Sequence, residues 1–132
     1  MKSKIVFFSI GALLFSYRVL YAHHSFAATY DQAKTVTIEG KMAQFLMRNP
    51  HSFLHVIAKD ESGQMQRWAV EWQGTAQIAS AGITRDTLKA GDPVIVTGNP
   101  GRDPADHRIR MVTIKRTTDG FVWGNRPGQV VN

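Results

Sequence analysis

A chain of 132 residues with 43% hydrophobic and 20% charged residues is long enough for one globular core and short for two domains. It contains no cysteine, which excludes disulfide frameworks, thiolate nucleophiles and sulfur-ligated metal centres. The net charge of +6 and isoelectric point near 10.0 invite a nucleic-acid reading only if the charge belongs to the working part of the chain.

The first segment removes much of it. Lys2 and Lys4 precede an apolar run of eleven residues, Ile5 to Phe15, and the stretch closes on Leu20-Tyr21-Ala22. This is the three-part layout of a secretory signal peptide, and the run falls well short of the about 20 residues a spanning helix needs. Residues 1–22 are therefore expected to be cleaved, leaving 110 residues with 13 bases against 10 acids, a net charge near +3. The expected location is the bacterial periplasm or the secreted medium, with no stable membrane insertion after cleavage and no nucleic-acid partner. The mature chain would open on His23-His24-Ser25-Phe26 with a free amine.

Ala27 to Lys34 reads as a polar entry. Val36, Ile38, Gly40 and Met42 then alternate with Thr35, Thr37, Glu39 and Lys41, the period of a half-buried strand. A change of phase near Phe45-Leu46-Met47 predicts a bulge or bend, and Asn49-Pro50 ends the strand. Ser52 to Lys59 and Met65 to Trp72 are the next two strands, joined by a turn at Asp60-Glu61-Ser62-Gly63. Gly74 to Ala81 is poor in β-formers and predicts a short helix, with Thr75 a candidate N-cap and Gly82 a stop; Thr84 to Leu88 could add a helical turn. Asp92 to Thr97 and Ile109 to Lys115 are the last two strands.

Three meandering strands, a short helix and two further strands give a mostly β fold: a small five-stranded OB-like barrel over residues 23–116, with an irregular tail at 117–132. A small open β-sandwich fits the same pattern.

Three features carry chemistry. An amino-terminal His offers an α-amine, of pKa about 7.7 to 8.0, and a ring nitrogen, a pair suited to Cu(II). His51 and His55 share one face of the second strand but stand about 13 Å apart, too far to hold one ion. If the hairpin turns near Ser62-Gly63, Phe53 lies opposite Glu71 and His51 is its diagonal neighbour. The expected metal ligands are accordingly His23, His24, His51 and Glu71, with Asn49, Phe53, His55 and Arg67 on a ligand-binding outer face. Trp68, Val70 and Trp72 face the core. Read as ordinary sequence, the same features are a solvated terminus and a solvated sheet face.

The opening His23-His24-Ser25-Phe26, the corner Asn49-Pro50-His51, the strand Trp68-Ala69-Val70-Glu71 and the stretch Leu88-Lys89-Ala90-Gly91-Asp92-Pro93-Val94 together resemble a family of secreted bacterial proteins of unknown function. The resemblance implies a periplasmic OB-like domain without an assigned activity, and includes His23, His24, Asn49, His51 and Glu71 in its pattern. The tail from Thr117 departs from it.

The leading expectation is a non-catalytic periplasmic binding module for copper or another divalent metal. The alternative is an envelope scaffold that binds a peptide, glycan or protein partner without metal. An oxidative copper enzyme ranks lower, because no second catalytic group stands out.

Overall fold

The computed structural model describes residues 26–124. The expected signal peptide, His23, His24 and the end of the tail lie outside the described residues.

The predicted strands form, with β4 running three residues past its expected end at Thr97: β1 (Val36–Leu46), β2 (Phe53–Lys59), β3 (Met65–Glu71), β4 (Pro93–Pro100) and β5 (Arg108–Arg116). They pair in the order β3-β2-β1-β4-β5, and a parallel contact between β3 and β5 closes the sheet into the expected five-stranded barrel. In that seam Ala69 faces Arg108, Val70 faces Ile109 and Glu71 faces Arg110. The bulge in β1 sits between Met42 and Gln44, slightly earlier than its change of phase suggested. The barrel needs such a bend because one strand has to pair with both β2 and β4.

Inward residues of all five strands fill the interior: Ile38, Leu54, Val56, Val70, Val94, Val96, Ile109 and Ile114 are buried. Burying each such side chain is worth about 1.5 to 3 kcal/mol, so this layer dominates the stability of the domain. Gly98 lets β4 and β5 approach at the shift in their register, since a Cβ there would meet the Arg110 carbonyl oxygen at 2.1 Å.

Between β3 and β4 lies the expected short helix, α1 (Thr75–Ser80). Six residues are too few to hold a helix alone, and Ile78, fully buried, anchors it to the barrel with Ile83 and Leu88. Gly74, rather than Thr75, occupies the N-cap. Thr84 to Leu88 forms a hydrogen-bonded turn without a helix, pinned by the Thr87 hydroxyl accepting from the Thr84 amide at 2.9 Å.

Two segments depart from the sequence expectation. The polar entry is helical over residues 26–29 and continues to Tyr30, which is 1% exposed and bridges to Gly101. The tail contributes a sixth strand, β6 (Val122–Gly124), paired with Thr113 to Lys115 of β5. It places Trp123 edge-on against Trp72, with ring centroids 4.7 Å apart. Neither segment has enough residues to show a hydrophobic period.

Candidate functional site

The site is built on the outward side of the seam between β3 and β5, and its centre is Glu71. As the last residue of β3 it points away from the core, as predicted, but it does not stand on a solvated face. It is 8% exposed, because closure brings Arg108 and Arg110 alongside and the entry segment lies across the top.

Three groups surround its carboxylate. The Tyr30 hydroxyl donates to Oε2, a buried contact between residues 41 apart in sequence. His51 Nδ1 lies 2.7 Å from Oε1. Arg108 Nη2 stands 3.7 Å from Oε2. Burial, reinforced by the neighbouring carboxylate, pushes the Tyr30 hydroxyl far above the ordinary phenol range, so Tyr30 stays protonated and donates throughout the working pH range.

His51 reaches Glu71 because the register is the expected one: Phe53 is opposite Glu71, which makes His51 its diagonal neighbour. The corner Asn49-Pro50, a cis peptide, precedes it. The Asn49 side-chain oxygen accepts from the Thr75 amide at 3.0 Å, so the residue expected on the ligand face also caps α1 from another segment. Gly74 permits that approach, since a Cβ there would lie 2.6 Å from the Pro50 carbonyl oxygen.

The contact turns Nδ1 toward the Glu71 carboxylate and leaves Nε2 facing away from it. The ring is about one third exposed, 34% by side chain, and borders a cleft of about 510 Å³. Phe26 packs on it from the entry segment, with ring centroids 4.9 Å apart. Arg110 lies over the same Phe26 ring, its guanidinium carbon 4.2 Å from the centroid. Trp72, Trp123, Gln73 and Gln77 complete the cleft wall.

The remaining predicted residues form a separate strip further along β2 and β3. Arg48 stacks on Phe53 at 5.0 Å, and Arg67 Nη2 donates to Gln44 Oε1 at 3.1 Å. His55 sits between these cations with its Nδ1 buried and without a hydrogen-bond partner. Burial, then the charges of Arg67 and Arg48, lower its pKa below 6.5, so it is held neutral. His51, just before β2, and His55, within it, therefore belong to two different environments.

Sequence reasoning missed Tyr30, Arg108 and Arg110 as members of the site. Tyr30 is a lone aromatic in a polar stretch, and the two arginines come beside Glu71 only when β5 closes on β3. Among the described residues no group of three or more His, Asp or Glu is arranged to hold a metal ion.

Comparison with known protein families matches residues 13–124, most of the chain, to a family described as a family of unknown function. No curated protein and no solved structure matches the chain.

Proposed function

The chain belongs to the Family of unknown function (DUF6152), and for this member of it we propose a non-catalytic periplasmic module that binds copper, or another divalent metal, between its mature N-terminus and His51. The observation that carries the reading is the 2.7 Å contact between His51 Nδ1 and the buried Glu71 carboxylate. Metal-ligating histidines characteristically donate their second ring N–H to a carboxylate, which fixes the tautomer and raises the basicity of the other nitrogen. Glu71 thus acts through His51, its own oxygens being engaged by Tyr30, His51 and Arg108.

Chain geometry supplies the other donors. Phe26 lies against His51, and His23 precedes it by three residues, a tether of at most about 10 Å. A mature start at His23 then has its α-amine and ring nitrogen within reach of His51 Nε2. His24 adds a further imidazole. An all-nitrogen set of this kind favours Cu(II), and its affinity rises with pH as the amine loses its proton.

The reading is tested by an intact mass of the secreted protein and a Cu(II) titration. Cleavage after Ala22 is expected, with a single strong site that His23→Ala and His51→Ala each weaken at least tenfold. A mature start elsewhere, or unchanged affinity in both variants, overturns it.

A further inference from the structure

We propose that the cleft beside His51 is also a binding site for an organic carboxylate with a flat apolar body, and that Arg110 is the residue that recognises the acid group. The inference concerns a second ligand and holds for the metal-free protein.

Its basis is an uncompensated cation in a cleft built to hold something. Of the arginines on β5, Arg108 is paired with Glu71, and Arg116 with Asp92 and Asp119. Arg110 has no carboxylate partner among the described residues. The one acid lining the cleft is Glu71, and its oxygens are already engaged. The Arg110 guanidinium carbon lies 4.2 Å from the centroid of the Phe26 ring. An arginine resting on an aromatic face keeps its in-plane N–H donors free, which suits two parallel hydrogen bonds to a carboxylate better than a point charge would. Its rotamer is held before any ligand arrives, so less entropy is lost on binding.

The rest of the wall fits the body of such a ligand. Trp72 and Trp123 meet edge to face, with Met111 beside them, an apolar surface on the same cleft as the guanidinium. Gln73 and Gln77 contribute neutral amides, which hydrogen-bond polar substituents without repelling an anion. The volume of about 510 Å³ lies within the range of small-molecule sites.

Benzoate is a suitable probe, with the indole N–H resonances of Trp72 and Trp123 as reporters in a titration of metal-free, chelator-treated protein. Saturable shifts of both signals are expected with benzoate, at least tenfold weaker binding with benzamide, and no competition from inorganic phosphate. Arg110→Gln, with an otherwise unchanged spectrum, is expected to weaken benzoate at least tenfold, whereas Arg85→Gln, which removes an exposed positive charge elsewhere, leaves it unchanged. Absence of saturable shifts, equal binding of benzamide, or equal losses in the two variants overturns the proposal. Competition by phosphate at similar concentration would overturn the flat-body requirement and reduce the cleft to a general anion site. Because no metal is present, these outcomes are independent of the copper reading.

Discussion

His51, in the corner just before β2, and His55, on β2, lie four residues apart in sequence, yet the molecule treats them oppositely. At one end, His51 sets Nδ1 2.7 Å from a buried carboxylate, and its ring borders a cleft. At the other, His55 is squeezed between Arg48 and Arg67 with a buried nitrogen that has no partner. The difference comes from the neighbouring strand: β3 carries Glu71 beside the first histidine and Arg67 near the second. An imidazole is made into a potential ligand or an inert neutral ring by what the adjacent strand sets against it.

The comparison breaks most completely at Glu71. Glu71→Ala leaves Tyr30, His51 and Arg108 without their common acceptor, and is expected to lower unfolding stability by about 3 kcal/mol in urea denaturation, with His51 losing its fixed orientation. Tyr30→Phe removes the buried donor while keeping the ring, and should cost about 2 kcal/mol in the same measurement. His51→Ala removes a partly exposed partner and should cost about 1 kcal/mol, a smaller loss than either.

The other end gives the smallest effect and a different signature. Because the folded state holds His55 below its ordinary value of 6.5, the unfolded chain binds the extra proton first as pH falls. Stability contributed by the neutral ring is complete above pH 6.5 and declines as pH drops from there toward the folded pKa. Urea midpoints measured between about pH 7.5 and pH 5 should therefore show a decline that His55→Gln flattens. A decline that survives His55→Gln would place its origin elsewhere.

Much of the barrel was legible because alternation of Val36, Ile38 and Met42, or of Leu54, Val56 and Ala58, is a local property that burial later satisfies. The pairing of Phe53 with Glu71 was legible too, since the turn at Ser62-Gly63 and one apolar face on each strand leave little freedom in register. Burial of Glu71 was not, because it depends on the parallel seam with β5 and on an entry segment 41 residues upstream. No short window contains both partners. Asn49 likewise sits in a readable corner, but its hydrogen bond goes to the start of a helix 26 residues later. Trp123 belongs to a strand of three residues, too short to show any period, and its role as a cleft wall comes only from packing on Trp72.

Under the proposed copper reading His51, and not His55, joins the N-terminal donors, and electron paramagnetic resonance of the secreted protein with one equivalent of Cu(II) tests this most directly. A tetragonal, nitrogen-rich signal is expected that loses one nitrogen in His51→Ala and is unchanged in His55→Ala. Superimposable spectra for the wild type and His51→Ala would contradict the role assigned to the His51 and Glu71 pair.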